Sequence, residues 1–266
     1  MQFEAVVKEI IQRTPNDISL RFNRPEEFNY LPGQYMYIEL TISGQKAEKH
    51  FTISSSPTEL THLKLTKRLT GHEFANALAS LKVGEKVEID GPEGDFTFVG
   101  EYTKILALTG GIGITPIRSI MRYCTDLMLK SDITLLYSNT SEDDIAFKAE
   151  LDDMQKNNDQ IKIIYTITQP KGKWDGLTGR INEDMMRRVV PDFMDRVTYI
   201  SGPQKMVDDL TNIMIMDLKM PTTSEDRNLP RILMPDSARI FFIQTTELVI
   251  RSQEDGVQKS SIRQRP

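Results

Sequence analysis

Cysteine is nearly missing from this chain: Cys124 is the one thiol in 266 residues. A single thiol forms no internal disulfide, and it cannot by itself ligate an iron–sulfur cluster or a zinc ribbon. Histidine is scarce too. His50, His62 and His72 are scattered with no HExxH spacing, so no metal site is expected. Positive charge is not in excess either. The net charge of −5 argues against a chain that coats nucleic acid. No apolar run reaches bilayer-spanning length. The opening MQFEAVVKEI holds no signal-peptide core, and cytoplasmic placement is the expectation. With 39% hydrophobic residues the chain can still build real cores, and its length allows one large domain or two ordinary ones.

What is present falls into two patterns. Up to about Gly100 the chain reads as short β-rich runs: Phe3–Arg13, Ile18–Asn23, Gln34–Ile42, His50–Ser55, Leu63–Leu69 and Lys86–Asp90. Turn residues such as Ser43-Gly44 and Gly91-Pro92 separate them, and one helix is expected at Glu73–Leu81. Such a series suggests a closed antiparallel barrel. From Thr103 strands and helices alternate. Strands are expected at Ile105–Leu108, Ile133–Tyr137, Ile161–Ile167 and Val197–Ile200. Helices are expected from Ile117 to Met128, at Asp144–Met154, at Asn182–Val190 and at Pro203–Leu218. This alternation calls for a parallel sheet with helices on both faces. Cys124 falls on the apolar face of the first of these helices and reads as core. The expected division is 1–100, 101–220 and an atypical tail, 221–266. Ala238–Ile250 in that tail is β-like but belongs to neither pattern, and the last residues read as disordered.

Between the first strand and first helix of the second half lies LALTGGIGITPIRS. Glycines between a strand and a helix permit positive φ and close approach of a ligand. Thr115 suits an N-cap and Pro116 the first helical position, and free amides at a helix start favour an anion. The spacing is Gly111-x-Gly113-x-x-Pro116, so the GxGxxG pattern is not met. On loop chemistry alone a phosphate cradle and a plain tight turn both stay open. The acids Glu142, Asp143 and Asp144 read as helix-dipole partners rather than ribose readers.

Two further stretches, KHFTISSSP at Lys49–Pro57 and YISGPQKM at Tyr199–Met206, flank TGGIGITP in order and spacing. Together the three motifs resemble the ferredoxin–NADP reductase-like flavoprotein family over Phe3 to about Leu218. The resemblance implies a β barrel plus α/β architecture: an antiparallel flavin-binding barrel followed by a parallel-sheet nicotinamide-nucleotide domain. It implies FAD ahead of FMN as cofactor, and NADPH or NADH as substrate. It places Thr52 at the reactive edge of the flavin, Phe51 beside the ring and Lys49 at the pyrophosphate, with His50 in the same motif. Lysine here replaces the usual arginine and phenylalanine the usual tyrosine, so a bidentate fork and a hydroxyl are lost. Further flavin contacts are implied for Thr66, Lys67 and Arg68, and for Gly71, His72, Glu73 and Phe74. On the nucleotide side Gly110, Gly111, Ile112, Gly113 and Pro116 fall at the pyrophosphate, Thr115 near the nicotinamide, and Ser138 and Asn139 at the adenosine ribose. Gly202, Pro203 and Met206 match the third motif, with Ser201 where cysteine is usual. Arg118 and Lys171 are the nearest candidates for a 2′-phosphate clamp, though each reads more plainly as a surface charge.

The implied chemistry is hydride transfer from nicotinamide to flavin, then release of electrons to a small carrier such as ferredoxin or flavodoxin. A reductase component feeding an oxygenase or membrane complex, and a poorly active regulatory module of the same fold, are the alternatives. Catalytic roles fall to Thr52 and Thr115. The tail departs from the family ending. It reads either as a frameshift near Thr223–Ser224 or as a true extension whose Ile240–Ile250 run pairs with a sheet edge or a partner.

Overall fold

The structure, a computed structural model, describes residues 1–218 together with the backbone of 240–244. Six strands come first: β1 (Gln2–Thr14), β2 (Asp17–Asn23), β3 (Tyr35–Ile42), β4 (Gln45–Thr52), β5 (His62–Arg68) and β6 (Lys86–Glu93). Helix α1 (Glu73–Ser80) lies between the last two. The strand order is β4-β3-β6-β1-β2-β5, with every pair antiparallel. β1 serves both halves of the sheet. Residues 2–6 pair with β6 and residues 7–14 with β2, with register shifts along the second stretch. Such bulges bend a strand and increase its twist. The ends close into a barrel where Ser54 N donates to Lys64 O at 2.7 Å and Lys64 N donates to Ser55 Oγ at 3.0 Å. Leu20, Phe22, Met36, Ile38, Ile53 and Leu65 fill it.

β4 begins five residues before the expected His50. Ser43 and Gly44 take left-handed φ values of 52° and 82°, a two-residue turn that sets Ile42 opposite Gln45. The strand's first half, QKAE, is polar, so hydrophobic patterning conceals it.

The second half runs β7 (Lys104–Gly110), α2 (Ile114–Asp126), β8 (Asp132–Asn139), α3 (Lys148–Asn157), β9 (Ile161–Ile167), β10 (Leu177–Thr178), α4 (Glu183–Val189), β11 (Val197–Gly202), α5 (Gln204–Asn212) and β12 (Ile240–Gln244). The sheet order is β10-β9-β8-β7-β11-β12, parallel throughout. Along β7, Ile105 and Ala107 join one core with Ile117, Met121 and Leu151, while Leu106 and Leu108 join another with Met186, Val207 and Leu210. Both faces are thus covered, as a parallel sheet requires. Cys124 is buried in the first core, and burial pushes its thiol up to about 12.

Four local expectations are corrected. α2 starts at Ile114 after a 3-10 turn, so Gly113 and not Thr115 is its N-cap, and Pro116 is its third residue. Proline is still tolerated there, because first-turn amides have no partner within the helix. α3 starts at Lys148, because Phe147 adopts a left-handed φ of 62°. Glu142–Asp144 form a separate 3-10 turn closed by a Ser141–Asp144 capping box. α5 ends at Asn212 and gives way to a π-helical turn at Ile213–Asp217. The short β10 carries no signal in the sequence. In the tail, β12 pairs in parallel with β11, from Thr198↔Ile240 to Gly202↔Gln244. The two readings of the tail otherwise concern residues outside those described.

Candidate functional site

From β7 the chain steps outward to β8 and β9, then returns to the other side of β7 as β11. The carboxyl ends of β7 and β11 therefore flank a topological switch point, where open α/β sheets bind ligands. The three glycines there serve different ends. Gly111 alone has a positive φ, 53°. A Cβ on Gly113 would meet Gly202 Cα at 2.5 Å, and one on Gly110 would meet Met206 Sδ at 2.5 Å. Gly113 thus lets the loop dock closely on β11. Ser201 strengthens that docking, its hydroxyl donating to Gly113 O at 2.8 Å. Tyr137 OH donates to Gly111 O at 2.9 Å. Thr115 is buried, with its hydroxyl donating to Ile112 O at 3.3 Å.

A cavity of about 300 Å³ opens beside this loop, bounded by Gly110, Gly111, Ser138, Asn139, Pro203 and Met206. Asn139 is only 5% exposed, and neither amide atom has a partner within hydrogen-bonding distance among the described residues. An unsatisfied buried amide costs on the order of 1–3 kcal/mol, which a sugar hydroxyl can relieve. Arg180 and Lys205 also line the cavity. No role was assigned to them from the sequence, although Gly179, with φ of 101°, marks the turn that delivers Arg180. Arg118 is not a cavity residue. It is buried in ion pairs, so it cannot clamp a phosphate there. Lys171 is exposed and is not among the cavity residues.

On the barrel, strand alternation divides the KHFT motif. Lys49 and Phe51 stand opposite Ile38 and Met36, while His50 and Thr52 stand opposite Tyr37 and Tyr35. His50 packs against both tyrosine rings, at centroid distances of 5.1 Å from Tyr35 and 6.0 Å from Tyr37. Its burial, then the Lys67 charge, lower its pKa. Phe51 packs on Phe74 of α1 with ring centroids 5.9 Å apart. Lys49 Nζ stands 5.3 Å from the Phe74 ring, and Lys67 Nζ 5.9 Å from the Phe51 ring. Two ammonium groups thus share one aromatic pair, and neither forms an ion pair among the described residues. Burial, then the charge of Lys49, lower the pKa of Lys67. Nearby, Gly71 has a φ of 76°, and α1 begins after His72 with no side-chain cap. Glu73 is exposed and accepts from Ser43 in the β3–β4 turn at 3.4 Å. Thr66 is buried against Ser19 and Ser54, at 2.8 and 2.9 Å. Two lysines beside open helix amides suit a flavin nucleotide's pyrophosphate, and the aromatic pair suits its ring. The donor set therefore fits FAD.

Arg68 joins the two sides. It donates to buried Asp17 from Nε and Nη2, both at 2.9 Å. Its Nη1 comes within 3.5 Å of where a Gly111 Cβ would stand, and it borders the nucleotide cavity.

Comparison with known proteins accords with this arrangement. Residues 3–98 match the oxidoreductase FAD-binding domain, and residues 108–212 the oxidoreductase NAD-binding domain. NADH-cytochrome b5 reductase 1 of Candida glabrata is 33% identical over 219 residues, covering 79% of this chain and 76% of that protein. The chain belongs to the ferredoxin–NADP reductase-like flavoprotein family. This member is accordingly an NAD(P)H-dependent flavoprotein oxidoreductase, with sites for FAD and a nicotinamide nucleotide. The glycine betaine monooxygenase reductase subunit of Pseudomonas aeruginosa is 33% identical over 187 residues, 68% of this chain. The match spans 51% of that protein's length. A ferredoxin–NADP+ reductase from Neisseria gonorrhoeae, solved with FAD and NADP bound, shares the fold with a TM-score of 0.75 at 16% identity. That match covers 91% of this chain and 98% of the other. Among the described residues, no helix of this reductase is long and apolar enough to cross a membrane.

Proposed function

We propose that this reductase oxidises NADH or NADPH and delivers the electrons singly to a separate carrier protein, a ferredoxin or flavodoxin. One observation carries the reading. The barrel that carries the cationic cradle meets the nucleotide cavity of the parallel sheet at Arg68, the last residue of β5. FAD, when bound, supplies a ring that accepts a hydride and gives up electrons one at a time. The protein's part is to bind and orient. Lys49 and Lys67 hold the flavin pyrophosphate with the amides after Gly71 and His72, and Phe51, backed by Phe74, packs beside the flavin ring. Thr52 hydrogen-bonds the ring edge, and Thr66 holds β5 in place. Gly110 to Gly113 present backbone to the substrate's pyrophosphate, and Arg68 reaches it from the barrel. Asn139 and Ser138 take the ribose, Pro203 and Met206 wall the cavity, and Thr115 stands beside the nicotinamide.

A second reading of the acceptor has support in the relatives. Two of them are named as a cytochrome b5 reductase and as an oxygenase reductase subunit, so a haem protein or an oxygenase component competes with ferredoxin. The purified protein is expected to be yellow, and anaerobic NADH or NADPH should bleach it. A chain that takes up no added FAD overturns the reading and leaves the poorly active module. Steady-state rates with both nucleotides against ferredoxin, flavodoxin, cytochrome b5 and an oxygenase component choose the acceptor.

A further inference from the structure

We propose that Arg118 and Ser119 are positioning residues that set the spacing between the flavin edge and the nicotinamide. The proposal rests on the functional reading above. α2 begins at the glycine loop, and one turn into it these adjacent residues reach across to the barrel. Arg118 is 3% exposed and makes five hydrogen bonds. Nη1 donates to Ser54 O at 2.9 Å and also to Glu59. Nη2 donates to Glu59 at 3.2 Å and to Glu150 at 2.6 Å, and Nε to Glu150 at 3.0 Å. Ser119 Oγ donates to Ser55 O at 2.7 Å. The two carbonyls gripped are consecutive, and they begin two residues after Thr52. The clamp therefore connects the strand end at the flavin edge to the helix start at the nicotinamide.

Both carboxylates are themselves held. Glu59 accepts from Ser56 N at 2.7 Å, and Glu150 accepts from Arg13 of β1 at 2.7 Å. A planar guanidinium with every donor used leaves little freedom to slide. Hydride transfer needs its partners within about 3–3.5 Å, and a 1 Å misplacement costs roughly a hundredfold.

The test compares holoenzyme carrying Arg118→Met, Arg118→Lys and Ser119→Ala with the wild type. Arg118→Met is expected to lower kcat and the single-turnover hydride-transfer rate by roughly tenfold or more. KM for the nucleotide should stay within about threefold, because Arg118 does not border the cavity. The long-wavelength charge-transfer absorbance on mixing with nucleotide should weaken. Arg118→Lys keeps the charge without the fork and should recover part of the rate, and Ser119→Ala should show a smaller loss in the same direction. A second readout uses flavin-free protein. Amide exchange in Arg118→Met should quicken at residues 54–59 and stay unchanged in β8. Variants that bind FAD and keep wild-type kcat overturn the proposal. So does a loss of rate matched by an equal rise in KM. If the wild type is reduced by neither nucleotide, the functional reading itself fails, and the exchange comparison still decides whether the bridge exists.

Discussion

Glu59 shows how one side chain ties local charge to stability. Burial by itself raises its carboxyl pKa, but the Arg118 hydrogen bond and charge, then Lys64 and the Ser56 amide, outweigh it and hold it at about 2. Its ordinary value is 4.5. A carboxyl depressed on folding contributes stability that is complete above the ordinary value and is lost as pH falls through the folded one. Melting temperature should therefore drop between about pH 5 and pH 2. Glu59→Gln should lower it at neutral pH and flatten that acid slope. A variant with the wild-type slope would remove Glu59 from the account. His62 lies in the same cluster, lowered to about 4 mainly by burial, and becomes protonated in the lower part of this window. None of this is visible in the order of residues. From its sequence context Arg118 reads as a surface charge.

Among elements, the glycine loop and the end of β11 form one unit. Gly113→Ala would place a methyl 2.5 Å from Gly202 Cα and 2.7 Å from Ser201 O, all backbone that cannot turn aside. We expect it to cost about 1–3 kcal/mol and to abolish nucleotide binding. Gly110→Ala meets Met206 Sδ, a flexible side chain, and should cost less. Denaturant titration of both variants checks the order, and equal losses would mean that backbone contact is not the reason. The loop's place between strand and helix is legible from its glycines and apolar flanks. Why each glycine is needed is not, because Gly202 lies far along the chain. Helix starts shifted for a related reason. Thr115 has good capping chemistry, yet a 3-10 turn passes through the glycines and moves the cap to Gly113.

For the whole molecule, binding and stability oppose one another at the barrel cradle. Lys49 and Lys67 hold like charges together, with Lys67 partly buried. Such an arrangement destabilises a fold until an anion joins it. Lys67→Met should therefore raise the melting temperature of flavin-free protein, while weakening FAD binding roughly tenfold. Calorimetry and flavin-fluorescence titration read the two effects separately. A variant that gains stability without losing FAD would show that the lysine pair serves something other than the pyrophosphate.

The chain by itself determined the two architectures, because period-two strands, period-3.6 helices and their turn residues act over a few neighbours. It also carried the three motifs that name the family. Tertiary structure decided which side chains meet. Arg68 borders the nucleotide cavity, Arg180 and Lys205 line it as well, and Arg118 is a buried bridge to a carbonyl 64 residues away. Those meetings depend on how a closed barrel and a parallel sheet pack together, and such packing leaves no local trace in the sequence.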